Sequence, residues 1–124
     1  MKGDIESQKD IEFLVDSFYE KVRENEEIGH FFNEVEPIDW SAHMPRMYAV
    51  WSDILLGTSN FSGNPMTKHL GLNKLAKMEK KHFDEWLRLW ENNLSLHFNG
   101  PKADEALTRA KSIASMMHFK VAQQ

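Results

Sequence analysis

The side chains in this sequence that are best suited to bind a metal ion are histidines. Six are present, at positions 30, 43, 69, 82, 97 and 118. A neutral imidazole ligates transition metals well. No two of these histidines have the H-E-x-x-H spacing that puts two zinc ligands on one helix face. Two of them, His43 and His69, are distinguished by their place in the hydrophobic pattern.

His43 lies within an apolar helical stripe, whereas His69 follows a loop that contains Pro65 and precedes a Leu-Gly-Leu run. A buried imidazole costs free energy unless it is hydrogen-bonded or ligated. Taken alone, His43 is explained as a core or boundary histidine and His69 as a helix-end residue, and ligation is the second interpretation for each. The residues by themselves therefore predict an all-α domain with room for one b-type haem or one metal ion.

Composition and short motifs exclude several other classes of function. The chain has no cysteine, which excludes disulfides, zinc–thiolate sites, iron–sulfur clusters and covalent haem attachment. A formal net charge of −4 disfavours nucleic acid as a partner, since that needs clustered Lys and Arg. The absence of a Gly-rich phosphate loop and of a G-x-S-x-G motif leaves kinase and hydrolase functions without support. The polar N-terminus is not a signal peptide, and no apolar run approaches the ~20 residues that span a bilayer, so we expect a cytoplasmic protein with no membrane association.

A length of 124 residues suits one domain with one core, spanning residues 1–124. Eight Phe and four Trp are a large apolar load for so short a chain. Such a load suits a fold that encloses a flat apolar group, and it suits a densely packed core equally well.

Hydrophobic periodicity predicts helices throughout, and no alternating pattern indicates a strand. The first helix begins near Asp4 or Ser7, both good N-cap residues, and runs to about Asn25. Tyr19 lies on the flank of its apolar stripe. A long helix over about residues 79–98 follows later in the chain, and Gly100 with the next proline separates it from the last helix.

The second helix, from Trp40 to Gly57, is amphipathic but contains Pro45. Proline lacks an N–H and disfavours helical geometry in the residue before it. This predicts either a late start with Ser41 as the cap or a kink just beyond His43.

Four segments of the chain, in order, resemble parts of the truncated haemoglobins. SFYEKVRENEEIGHFF is similar to their second helix and its exit, and WSAHMPRMYAVWSDILLG is similar to their distal helix. GNPMTKHLGL is similar to the loop and short helix that bear the proximal histidine, and HFDEWLRLWENNL to the long helix that crosses the haem pocket. The segments cover residues 17 to 98. Because the chain has no Gly-Gly pair, the third group of truncated globins is the most similar.

This resemblance implies an all-α short globin fold, in which two helices pack on two others around haem b. His69 corresponds to the proximal histidine, which would ligate the iron and leave the opposite position open. The resemblance implies Phe32, Met47 and Trp86 as residues against the haem, and Tyr19, His43 and Trp86 as the residues around the ligand.

The implied function is reversible binding of a diatomic gas, with oxygen expected first and nitric oxide and carbon monoxide as other ligands. The polar groups around the ligand also suggest redox chemistry, such as nitric oxide oxidation or a peroxidase-like reaction, which would need an external reductase. Two alternatives stay open. One is an electron-transfer protein with a six-coordinate haem, in which Met44, Met47 or His43 lies opposite His69. The other is a helical interaction module without a cofactor.

Overall fold

The computed structural model describes residues 2–29, 40–57 and 79–122. Within these ranges the chain forms four α-helices and no β-strand, which confirms the predicted all-α class. The helices are α1 (Gln8–Glu24), α2 (Trp40–Leu56), α3 (Lys80–His97) and α4 (Pro101–Ala122).

The first helix begins at a reciprocal cap. The hydroxyl of Ser7 accepts a hydrogen bond from the Asp10 N–H at 3.3 Å, and the Asp10 carboxylate accepts one from the Ser7 N–H at 3.1 Å. Such a capping box satisfies two N–H groups that have no partner within the helix. The helix buries one stripe, and Tyr19 belongs to this stripe rather than to its flank, since only 3% of it is exposed.

The exit from α1 is a tight turn stabilised by Asn25. Its side-chain oxygen accepts hydrogen bonds from the N–H groups of Glu27, at 2.8 Å, and Ile28, at 3.0 Å. Gly29 then lies so close to the end of α1 that a β-carbon there would be 2.9 Å from the carbonyl oxygen of Arg23. Only glycine therefore fits at this position without displacing the end of α1.

The second helix runs without interruption from Trp40, so Ser41 is inside it and the predicted late start is wrong. Pro45 lies inside the helix and costs it the one hydrogen bond that an N–H at this position would donate to the Ser41 carbonyl. The buried side chains beyond the proline offset this loss, because they hold the helix against its neighbours. The helix ends before Gly57, whose φ of 72° is a left-handed conformation that glycine adopts without strain.

The four helices form two layers. The chief contacts join α1 to α2 and α3, and join α4 to the same two helices. Each helix therefore packs on two of the others, which agrees with the expected two-on-two sandwich of a short globin fold. Apolar stripes on all four helices meet in one core, and alanines on the inner face of α4 allow close approach.

The sequence offered Asp4 as a possible cap of α1, but in the structure Asp4 caps α4. Its carboxylate accepts hydrogen bonds from the N–H groups of Lys102, at 3.0 Å, and Ala103, at 2.9 Å. The approach is close, because a β-carbon on Gly100 would lie 2.5 Å from the Asp4 side chain. The Lys102 ammonium in turn donates to the carbonyl of Leu55 at 2.8 Å, near the end of α2. These bonds tie the N-terminal segment, α2 and α4 together.

Burial raises the pKa of Asp4, but hydrogen bonds from the backbone and the charge of Lys102 outweigh it, so the pKa lies below its ordinary value of 3.8. A carboxylate whose pKa is lowered by folding stabilises the native state above its unfolded pKa and loses this contribution as the pH falls. We therefore predict that Asp4→Ala lowers the free energy of unfolding by about 1 kcal/mol at neutral pH, as loss of a helix cap does. The difference in free energy of unfolding between the variant and the wild type should shrink as the pH falls through 3.8 and below.

Urea unfolding at several pH values measures this effect. Asp84→Ala is the matched control, because Asp84 forms only an exposed salt bridge with Lys80 and should contribute little. Equal destabilisation by the two substitutions would show that the Asp4 cap does not stabilise α4.

Candidate functional site

The structure brings Tyr19 of α1 and His43 of α2 into contact in the interior. Their ring centroids are 5.0 Å apart and the rings are nearly perpendicular, at 87°. Only 3% of Tyr19 and 2% of His43 is exposed. The Nε2 atom of His43 is buried, and within the described residues it makes no hydrogen bond. The sequence left open which way His43 points, and the structure shows it directed inward.

Burial keeps the phenol of Tyr19 protonated. Removal from water disfavours the charged phenolate, so the pKa of Tyr19 is raised well above its usual range. The phenol is therefore neutral and carries its proton at every physiological pH.

Trp86 reaches the same region from α3. Phe18 lies between the two helices, with its ring centroid 5.0 Å from that of Tyr19 and 5.5 Å from that of Trp86. Met47, one turn after His43 on α2, is fully buried. Tyr19, His43 and Trp86 thus come from three different helices and are joined through the Tyr19–His43 contact and through Phe18, while Met47 is buried one turn from His43 on α2.

A buried amide that our sequence analysis did not single out holds α1 against α3. The Asn93 side chain donates to the carbonyl of Leu14 at 3.2 Å and to the hydroxyl of Ser17 at 3.0 Å, and it accepts from the Lys21 ammonium at 3.0 Å. A buried amide keeps all these partners in only one register of the two helices that it joins. Its signal in the sequence is a polar residue three positions after Trp90, on the buried face of the helix.

A second polar connection between the same helices lies at the C-terminal end of α1. Asn25 donates to the carboxylate of Glu85 at 2.7 Å, and Arg88 donates to it as well. The hydrogen bond from Arg88 outweighs the effect of burial and lowers the pKa of Glu85. Since Glu85 precedes Trp86, this connection also bears on where the indole lies.

On the other side, α1 is joined to α2 by two side-chain hydrogen bonds. The buried Ser52 hydroxyl donates to Gln8 at 2.6 Å, and the Tyr48 hydroxyl donates to Asp16. Burial, together with the negative charge of Asp16, raises the pKa of Tyr48 to about 12. Tyr19 and His43 therefore face each other across an interface that polar contacts hold in register.

Two of the predicted site residues, His69 and Phe32, lie outside the described residues. Among the residues that are described, no group of His, Asp and Glu could hold a metal ion. The same ranges contain no helix that is long and apolar enough to cross a membrane.

The chemistry of this donor set fits the distal side of a haem. A phenol, an imidazole and an indole are brought to an otherwise apolar region, and among the residues that the structure describes no carboxylate is buried in the core. Hydrogen-bond donors in a dry setting favour a small ligand that carries partial negative charge, and the neutral phenol and the indole do not compete for the iron as a carboxylate would.

Comparisons with known proteins agree with this arrangement. Residues 3–119 match the model of the family described as bacterial-like globin. The chain is 33% identical, over 123 residues, to the group 3 truncated hemoglobin ctb of Campylobacter jejuni subsp. jejuni, covering 97% of this chain and 93% of that protein. It also matches the crystal structure of the group III truncated hemoglobin from Campylobacter jejuni with a TM-score of 0.77 and 30% identity, covering 98% of this chain and 95% of the other. Haem binding, and with it the binding of diatomic gases, follows from this kinship. The chain belongs to the bacterial-like globin family, and within it to the truncated haemoglobins that resemble group III.

Proposed function

We propose that this chain binds haem b through His69 and reversibly binds oxygen on the opposite side, where Tyr19 donates a hydrogen bond to the ligand. The observation that carries the proposal is the buried contact between Tyr19 and His43. Bound haem supplies the iron that takes up the gas. What the chain contributes is a dry pocket, a neutral phenol whose proton is retained by burial, and a fixed relation between α1 and α2.

Each of the other pocket residues has a separate task in this proposal. The indole N–H of Trp86 is a donor only, so it favours the same partial negative charge on the ligand that Tyr19 favours. Met47 and Phe32 provide apolar contact with the haem. His43 packs against the edge of Tyr19 and limits the directions in which the phenol can turn.

Redox turnover of the ligand is a second candidate, favoured by the three polar donors that the fold brings to one region. Nitric oxide oxidation or peroxide reduction would consume electrons, so it requires an external reductase. Steady-state consumption of nitric oxide or peroxide, with a supplied reductant, distinguishes turnover from reversible binding.

The absorption spectrum separates the proposal from its two rivals. A ferrous, ligand-free protein with low-spin bands would indicate a six-coordinate haem with a second protein ligand, such as Met44, Met47 or His43. A colourless protein from a host supplied with haem would indicate a cofactor-free helical module. A five-coordinate spectrum that changes on addition of carbon monoxide supports the proposal.

We predict that His69→Ala weakens haem binding, removes the five-coordinate histidyl spectrum and lowers the melting temperature. A bound group stabilises only the native state, by about 2.7 kcal/mol when present at about 100 times its Kd, and domains of this kind have only about 5–15 kcal/mol in total. Added imidazole should partly restore the spectrum. His82→Ala is the control, since His82 lies at the start of α3, where its imidazole accepts a hydrogen bond from the Glu79 N–H at 2.8 Å. If His82→Ala lost the spectrum while His69→Ala kept it, the assignment of His69 would be wrong.

We predict that Tyr19→Phe speeds oxygen release by about ten- to hundredfold, because a hydrogen bond to a partly charged ligand contributes about 1.5–3 kcal/mol. Carbon monoxide is less polar, so its release should change less. In the wild type the oxygen release rate should not respond to pH up to and beyond 10, since burial keeps the phenol protonated there. Stopped-flow release measurements with both gases test this, and equal effects on the two would contradict a hydrogen-bonding role.

We predict that His43→Leu changes the rate of ligand entry more than the equilibrium affinity for oxygen. The imidazole lies inside against Tyr19, so its loss alters the space beside the phenol but leaves the phenol as donor. Flash photolysis and equilibrium titration measure the two quantities. A large loss of affinity with an unchanged entry rate would make His43, not Tyr19, the principal donor.

A further inference from the structure

The core contains a stacked pair of indoles that ligand binding does not use. Trp51 of α2 and Trp90 of α3 have ring centroids 4.4 Å apart and planes inclined by 24°. Each is 1% exposed, so both are shielded from water. Stacking at this distance contributes to packing. It also allows the face of one indole to stabilise a positive charge on the other, which a single buried indole cannot do.

The pair is connected to the proposed ligand pocket through aromatic rings alone. Trp86, one turn before Trp90 on α3, is parallel to it within 5°, with centroids 6.3 Å apart. Phe18 meets the rings of both, at 4.8 Å from Trp90 and 5.5 Å from Trp86, and it also contacts Tyr19. An electron can therefore pass between the pocket and the pair over short gaps.

We propose that Trp90, stacked on Trp51, is a one-electron donor that is oxidised when hydrogen peroxide is reduced in the pocket. This rests on the proposed haem binding. Reduction of one hydrogen peroxide breaks its O–O bond and consumes two electrons and two protons to give two water molecules. Haem held in the pocket would supply one of these electrons and Trp90 supplies the other, while the protons come from solvent. Trp90 becomes an indole radical cation. The external reductase of the proposed function returns both electrons, one to the haem and one to Trp90, and so restores the resting state.

Two contacts make Trp90 a better place for the positive charge than its neighbours. The face of Trp51 attracts a cation through the negative charge density of its ring. The Nε1–H of Trp90 donates to the carbonyl of Ala106 at 3.2 Å, a bond that strengthens when the donor becomes cationic. These contacts offset the cost of placing charge in a dry core. They also let Trp90 keep its proton, so that only an electron moves.

Tyr19 lies in the pocket itself and is therefore nearer to the site of peroxide reduction than Trp90 is. It is nevertheless the less suitable electron donor. An oxidised phenol is a strong acid and must lose its proton. Tyr19 is the proposed donor to the ligand, and its proton is held there by burial. Transfer of the oxidising equivalent to the indole pair would therefore preserve Tyr19, and it would also spare the buried thioether of Met47 from oxidation.

The first experiment needs no haem. The chain has no cysteine, so Glu91→Cys provides one attachment site, on the exposed side of α3 next to Trp90, for a ruthenium photosensitiser. Flash oxidation followed by transient absorption should show an indole radical. Trp90→Phe should abolish the long-lived signal, and Trp51→Leu should shorten its lifetime about tenfold, since the attracting face is lost. Phe83→Leu, a buried aromatic on the same helix outside the pair, should leave the lifetime unchanged. Circular dichroism establishes that each variant is folded.

The second experiment uses haem-loaded protein, one equivalent of hydrogen peroxide and electron paramagnetic resonance after freeze-quenching. The wild type should give an indole radical, and Trp90→Phe should give instead a tyrosyl radical and oxidation of Tyr19 and Met47 detectable by mass spectrometry. A tyrosyl radical in the wild type would overturn the proposal. So would an indole radical that decays at the same rate in Trp90→Phe and Trp51→Leu as in Phe83→Leu. Failure to bind haem would overturn the proposed function and the peroxide step that rests on it, whereas the first experiment would still decide separately whether the indole pair holds an oxidised state.

Discussion

The ring of Phe18 is the contact on which the arrangement of the site depends. It is almost completely buried in the middle of α1, and it meets two indoles of α3 edge to face while touching Tyr19 on its own helix. Edge-to-face contacts are directional, since the positive edge of one ring lies against the negative face of another. A shift of α1 along α3 would break several of these contacts at once. The position of Tyr19 relative to Trp86 is therefore set by packing in the core rather than by the two residues themselves.

Polar contacts at the edges of this aromatic cluster give it a single register. Apolar surfaces can slide past one another at small cost, whereas a buried amide that loses its partners costs about 1–3 kcal/mol. Asn93 imposes that cost on any displacement of α1 against α3, because its partners are the Leu14 carbonyl, Ser17 and Lys21. At the opposite end of the fold, Asp4 and Lys102 join the N-terminal segment to α4 and α2. Hydrophobic burial supplies most of the driving force, and these hydrogen bonds select one arrangement.

The same interior serves two purposes in the proposed function. A small domain buries a limited fraction of its surface, so a large flat cofactor in contact with its core adds to stability in the same way as side chains do. The dryness that stabilises the fold also raises the pKa of Tyr19 and strengthens any hydrogen bond that the phenol donates. Ligand retention and the proposed oxidation of Trp90 both depend on exclusion of water, which makes the packing of the aromatic cluster a functional property.

The sequence by itself determined the helices, the apolar stripes and the family. Periodicity located both ends of α1 and α3 and the end of α2 within a residue or two, because caps and breakers such as Ser7, Gly57 and Pro101 act locally. Resemblance of short segments predicted Tyr19, His43 and Trp86 as pocket residues, and the structure joins their rings in the core through direct contact and through Phe18. Their roles, like those of His69 and Phe32, stay predictions. Only the tertiary structure decided which residues meet. Asp4 caps α4 across about a hundred positions of sequence, Asn93 joins two helices, and Trp51 stacks on Trp90. Such contacts depend on how helices cross in space, and the pattern along one helix carries no information about the residue that will face it from another.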